Sequence, residues 1–254
     1  MMEWLNKVML GDCIAGLKQI PDESVDCVIT DPPFGISYQN HNKKSKLTPM
    51  LAGDVGSFDY AELAEQCFRI LRNDTAFFCF TGWSVYPKHF RQVERAGFLM
   101  KEPLMAGRNP SGTGNLEGTF SSVTDWIIFG HKGRFKFRST QLLRNSTAAS
   151  CRVGLWKTRF PAVWMGSDYP YSSLPAAQNH TEHPTPKNPQ FLKWLILLCT
   201  DPGQVVLDPF AGTGSTLVAA RELGRRYCGF ELEEKFYRIC RRSLNTSLGF
   251  GALK

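Results

Sequence analysis

A mainly parallel α/β sheet with helices on both faces is the fold class this 254-residue chain predicts. Two observations carry that reading. Near-continuous apolar runs at Val25–Thr30, 76–80 and 204–207 alternate with segments of helical period, the pattern of strands buried on both faces. Four of the expected strand ends carry an acid, Asp12, Asp31, Asp208 and Glu231, and sheets of this kind bind ligands beyond the carboxyl ends of their strands.

The elements follow in chain order. A short strand over 8–10 ends at Gly11-Asp12-Cys13, and 14–20 has the apolar spacing of a helix that Pro21-Asp22 closes. The strand at 25–30 leads into a polar loop, 35–57, of a length usually reserved for function. Leu63, Cys67, Ile70 and Leu71 share one face of a helix over 60–71, and 76–80 is a buried-type strand. A helix over 87–96 and two antiparallel strands, 98–104 and 124–129, complete the first half. Beyond residue 131 the composition turns basic, aromatic and rich in turns until about 181. A helix over 188–199, a strand over 204–207, a helix over 216–223, a strand over 226–230 and a helix over 233–244 close the chain. The predicted organisation is a catalytic half (1–130), a basic insertion (131–182) and a cofactor-binding half (183–254) of one domain.

Composition narrows the function classes. The longest apolar run, 195–199, is far below the ~20 residues of a bilayer span, and Met1-Met2-Glu3-Trp4 does not read as a secretory signal, so a cytoplasmic location is expected. Eight cysteines stand singly among apolar neighbours, which suits reduced core thiols. His180 and His183 have no cysteine or carboxylate partners at ligand spacing, so no metal is expected. The net charge is +7, and the segment 131–182 alone holds Lys132, Arg134, Lys136, Arg138, Arg144, Arg152, Lys157 and Arg159 against Asp168 and Glu182. Phe135, Phe137, Trp156, Phe160, Trp164, Tyr169 and Tyr171 alternate with these cations, a composition suited to phosphates and bases. Lys43, Lys44 and Lys46 in the 35–57 loop extend the basic set.

Two strand ends carry candidate chemistry. Asp31-Pro32-Pro33-Phe34 forms a rigid shelf, since neither proline donates a ladder hydrogen bond and each fixes its own φ. Phe210-Ala211-Gly212-Thr213-Gly214-Ser215-Thr216 is a glycine turn between strand and helix, suited to close approach of a ligand to backbone N–H groups. It lacks the lysine of a phosphate-binding P-loop, and Leu217 stands where a dinucleotide fingerprint has its third glycine. Glu231, ending the next strand, is placed to accept hydrogen bonds from the two hydroxyls of a ribose.

Together "DPPF" and "DPFAGTGST" resemble the DNA methyltransferases that modify exocyclic amino groups with S-adenosylmethionine, in the order of motifs of the β-class, over about residues 7–245. The resemblance implies a permuted Rossmann-like methyltransferase fold. It implies Asp31, Pro32, Pro33 and Phe34 as catalytic residues, Phe34 stacking on a base flipped out of double-stranded DNA. For the cofactor it implies Asp12 and Cys13 near the adenine and Glu231 with Leu232 at the ribose. It further implies Asp31, Asp208 and residues 210–216, with His183, Thr185 and Lys187 of "HPTPKNP" closing over the amino-acid end. In that last stretch Asn188 separates Lys187 from Pro189, a departure from His-Pro-Thr-x-Lys-Pro. A cognate restriction endonuclease and a homodimer are compatible partners.

Aspartate at 31 favours adenine N6 over cytosine N4, whose enzymes usually resemble Ser-Pro-Pro-aromatic. Cytosine C5 chemistry needs a nucleophilic thiol, commonly after proline, and the chain has no Pro-Cys pair. A non-enzymatic DNA-binding protein and a methyltransferase acting on RNA or protein are the readings from other classes.

Overall fold

The computed structural model describes residues 3–34, 58–107, 124–138, 163–164 and 187–246. Five strands run parallel: β1 (Lys7–Leu10), β2 (Val25–Thr30), β3 (Leu71–Thr81), β8 (Val205–Asp208) and β9 (Arg226–Glu231). β6 (Thr124–Lys132) pairs antiparallel with β3, and β4 (Leu99–Met100) and β5 (Leu104–Gly107) pair antiparallel with β6. β7 (Val163–Trp164) adds to the edge, parallel to β5. Among the described residues the sheet thus reads β1-β9-β8-β2-β3-β6-β5-β7, with β4 off this path on β6.

Among the described residues six helices cover it: α1 (Cys13–Leu17), α2 (Tyr60–Ile70), α3 (Tyr86–Arg95), α4 (Pro189–Cys199), α5 (Ser215–Glu222) and α6 (Glu234–Asn245). The strand period of two divides the core between the faces. Val28, Phe77, Cys79 and Leu207 pack with Leu17 of α1, Leu63 and Cys67 of α2 and Val93 of α3. Cys27, Ile29, Phe78, Phe80 and Val206 pack on the opposite face with Leu192, Leu195 and Ile196 of α4 and Ala219 and Ala220 of α5. Val8, Leu217, Cys240 and Leu244 form a smaller cluster under α6. None of the helices described is long and apolar enough to cross a membrane.

Where element bounds differ from expectation, polar residues or proline explain it. β3 begins at Leu71, five residues before the apolar run, because Arg72-Asn73-Asp74 hides a strand start that includes a register shift and a positive φ at Asp74. The expected strand over 98–104 is two pieces, β4 and β5, and Pro103, which lacks an N–H, lies between them. Buried Asp26 ties three strands at their amino ends. It takes Arg72 Nη1 and the Val205 N–H, both at 2.8 Å.

The boundary expected at residue 131 falls inside β6, so the basic insertion does not start there. Chain as far as 138 packs against the sheet: Phe135 and Phe137 pack on Phe129 and on each other, with centroids 5.1–6.0 Å apart, rather than forming an open stacking surface. Lys132, Arg134 and Arg138 have partners at the far edge of the sheet. Lys132 pairs with Glu23 at 3.2 Å and donates to the Phe68 and Leu71 carbonyls; the Arg134 N–H donates to Asp74, and Arg138 pairs with Asp201 at 3.2 Å. These partners mark the amino ends of β3 and β8, the edge opposite the acids at the strand ends. Lys136 is exposed on the same segment.

Candidate active site

β2, β8, β9 and β1 are successive neighbours in the sheet, so their carboxyl ends form one rim. Asp31, Asp208, Glu231 and Asp12 follow from that alignment, although their sequence separations reach 219 residues. A single cleft there is lined by Thr30, Asp31, Phe80, Lys187, Asp208, Phe210, Ala211, Gly212, Thr213, Ser215 and Thr216. Asp31 and the glycine turn therefore face each other.

The turn after β8 is closed by hydrogen bonds from its backbone N–H groups. The Phe210 N–H donates to Asp208 Oδ1 at 3.0 Å, the Ala211 N–H to the Phe230 carbonyl at 2.8 Å and the Gly214 N–H to the Ala211 carbonyl at 2.8 Å. Gly212 and Gly214 hold φ of 52° and 93°, values an L side chain rarely adopts. Gly214 answers a packing demand as well as a conformational one: a Cβ there would sit 2.6 Å from Cys240 Sγ on α6. Gly229 on β9 is likewise tight, its Cβ position 2.7 Å from Leu217 Cδ1. At Gly214 and Gly229, then, the missing side chain seats helices against the sheet.

Glu231 is held from both sides, Oε2 accepting from the Gly212 N–H and Oε1 from the Glu233 N–H, each at 2.8 Å. Burial raises its pKa, partly offset by those two N–H groups. A carboxylate fixed this way keeps further lone pairs for hydroxyl donors. Leu232 beside it is 56% exposed, an apolar surface next to the acid. Asp12 accepts from the Ala15 N–H at 2.8 Å as the N-cap of α1 and is exposed at the same rim. The Cys13 thiol is buried in the core beside it, and burial pushes its pKa up to about 12.

Asp208 forms the floor of the cleft. Burial pushes its pKa up to about 7, against hydrogen bonds from Thr216 and the Phe210 N–H, and the charge of Asp31 adds to the rise. A carboxyl whose folded pKa lies above its unfolded value stabilises the fold fully below the unfolded pKa and loses that contribution as pH rises through the folded one. The window therefore runs from the ordinary aspartate value of 3.8 to about 7. Asp208→Asn keeps an oxygen for the Phe210 N–H and removes the titration. The variant is expected to match the wild type in denaturant unfolding near pH 4 and to exceed it by about 2–4 kcal/mol at pH 8. Equal differences at both pH values would refute the buried titration.

Asp31 is partly exposed, Pro32 is buried, and Phe34 packs against the cluster beneath α4. Lys187 Nζ lies 3.0 Å from Asp31 Oδ2 and 4.5 Å from the centroid of the Phe80 ring. Asn188, the departure from the Lys-Pro pattern, is the N-cap of α4, accepting from the Gln190 and Phe191 N–H groups at 2.7 and 3.3 Å, with Pro189 at the first turn.

Phe80 and Thr30 are cleft residues that the sequence did not single out; as members of apolar strands they carry no signal of their own, except that the two strands pair Thr30 with Cys79. Trp83, just past β3, is 70% exposed and equally unmarked. His183, Thr185, Lys43, Lys44, Lys46, Arg144, Arg152, Lys157 and Arg159 lie outside the described residues.

Comparison with known proteins places this geometry. DNA adenine methyltransferase YhdJ of Escherichia coli (strain K12) is 25% identical over 258 residues, covering 96% of this chain and 84% of that protein. The crystal structure of the M1.HpyAVI–SAM complex superposes with a TM-score of 0.66 at 20% identity, covering 94% of this chain and 99% of that one. The cytosine-N4-specific PvuII DNA methyltransferase gives 0.68 at 18% identity, covering 96% and 88%. At those identities the superpositions establish a shared α/β fold. Residues 25–242 match the DNA methylase model of N6 and N4 methyltransferases, a span that takes in both Asp31 and Glu231, and the chain belongs to that family of DNA amino-methyltransferases.

Proposed function

We propose that the protein transfers a methyl group from S-adenosylmethionine to the N6 amino group of adenine in double-stranded DNA. The observation that carries this reading is the single cleft that joins Asp31, at the end of β2, to the glycine turn after β8. The residues fit a nucleoside with an amino-acid tail. Glu231, oriented by the Gly212 and Glu233 N–H groups, suits a pair of ribose hydroxyls, and exposed Leu232 and half-buried Phe210 suit the faces of a base. Thr213, Ser215 and Thr216 surround the cleft where the tail would extend. When bound, the cofactor supplies a methyl group on a sulfonium, which needs an electron-rich nitrogen in line with it.

An adenine amino nitrogen is a poor nucleophile because its lone pair is delocalised into the ring. Asp31 and the Pro32 carbonyl accept from its N–H groups and so concentrate density on nitrogen, and two prolines hold these acceptors before the substrate arrives. No covalent bond to the protein is involved. Phe34 offers a face to the extruded base, and extrusion is needed because the amino group inside a duplex is out of reach. The choice of adenine rests on aspartate at the head of the tetrapeptide and on the likeness to an adenine methyltransferase. The same electronics serve a cytosine N4 amine, as the PvuII relative acts on cytosine N4 in the same fold.

The test is incubation of the purified protein with cofactor and unmodified genomic DNA, followed by digestion and mass spectrometry of nucleosides. N6-methyladenine is the expected product. N4-methylcytosine would overturn the base assignment, and labelled methyl groups on RNA or protein in place of DNA would overturn the substrate class.

A further inference from the structure

Lys187 is expected from its motif to face the cofactor, and the structure pairs it with Asp31. Three observations bear on it. Its ammonium lies 3.0 Å from Asp31 Oδ2, the two side chains being 16% and 26% exposed. The same ammonium sits 4.5 Å from the Phe80 centroid. Phe80 in turn packs edge-on against Phe191 of α4, at 6.1 Å. Lys187 thus leads directly into a helix that is capped by Asn188 and docked on the ring beneath its own ammonium. Capping and packing place the cation, so the ion pair is built by fixed elements rather than by two free surface chains.

We propose that Lys187 is the positioning residue for Asp31. Its ammonium engages Oδ2 and sets the plane in which the carboxylate meets the substrate amine. It also offsets a local electrostatic problem. Groups that face Asp31 include the Asp208 carboxyl from β8, the Tyr60 hydroxyl from α2 and the Cys79 thiol from β3, and each couples electrostatically with it. Lys187 brings a positive charge, and an ammonium at ion-pair distance favours the ionised carboxylate that the reaction needs as acceptor.

This inference rests on the methyltransferase reading, so wild-type methylation of DNA is measured first; its absence would overturn both. With that activity in hand, Lys187→Met, Lys187→Gln and Lys187→Arg are compared in single-turnover methylation across pH, alongside direct titrations of S-adenosylmethionine and of duplex DNA. Met and Gln are expected to slow the turnover by about 10–100-fold, with both affinities within about threefold of wild type. Their acid limb should move upward by about 1–3 pH units, because loss of the neighbouring cation raises the pKa of Asp31. Arginine should restore the limb. The shift should persist in the Asp208→Asn background, where that carboxyl no longer titrates. Weakened cofactor affinity with an unmoved acid limb would make Lys187 a cofactor ligand and overturn the proposal, as would wild-type rates in Met and Gln.

Discussion

Replacing Asp31 by alanine is expected to abolish methyl transfer to DNA, lowering the rate by at least 10²–10³-fold, while S-adenosylmethionine binding stays measurable. The size follows from what the side chain does. Asp31 is the charged acceptor in the cleft that stands on a proline-fixed strand end, and water admitted in its place has no fixed orientation toward the amine. The variant also removes the carboxylate that faces the Lys187 ammonium, and with it a negative charge where positive charge develops on the substrate nitrogen. On the proposed reading cofactor binding draws on Glu231 and the glycine turn, and their hydrogen bonds do not involve Asp31. Incorporation of labelled methyl groups, set beside calorimetric cofactor titration, gives both readouts. Incorporation close to wild type would remove Asp31 from the chemistry.

Gly214→Ala should damage the fold through both packing and backbone conformation. The residue has φ of 93°, and its Cβ position lies 2.6 Å from Cys240 Sγ and 3.4 Å from the Cys240 Cα. Cys240 is fully buried on α6, so the thiol has no open side to move into. Overpacking of this kind costs about 1–3 kcal/mol, and the left-handed backbone adds about 1 kcal/mol for a side chain, together about 2–4 kcal/mol. For a chain of this size that lowers Tm by about 5–15 °C in a thermal melt. The double variant Gly214→Ala with Cys240→Ala separates the two causes: it recovers the steric part and keeps the backbone part. A single variant that melts with the wild type would show that α6 yields freely. Because the same turn presents the Gly212 N–H to Glu231, weaker cofactor binding should accompany the loss of stability.

Much of the fold was legible because buried parallel strands read as apolar runs and amphipathic helices as a 3.6 period. The elements from β8 to α6 lie within two residues of expectation at each end, since each begins at a clear change of period or at a capping residue. Legibility failed where polar residues start a strand, as at Arg72–Asp74, and where a single basic run turned out to have two kinds of neighbour. Lys132 and Lys136 look alike in sequence. One is drawn to carbonyls and Glu23 at the amino edge of the sheet, and the other is exposed. Composition records charge and not direction, so it could not separate them.

The sequence by itself determined the chemistry on offer: an acid on a two-proline shelf, a glycine turn, and an acid one strand later. Those are local properties, dictated by ring closure in proline, by the missing Cβ of glycine and by the ionisation of carboxylates. Only the tertiary structure decided which of these groups meet. Strand order sets β2 beside β8 and β8 beside β9, so Asp31, Asp208 and Glu231 share a rim although pairing joins segments some 180 residues apart. The same order seats α4 on Phe80, which brings Lys187 to Asp31. Contact between distant segments is set by which apolar faces bury against each other, and that sum over the whole core is not written in any one motif.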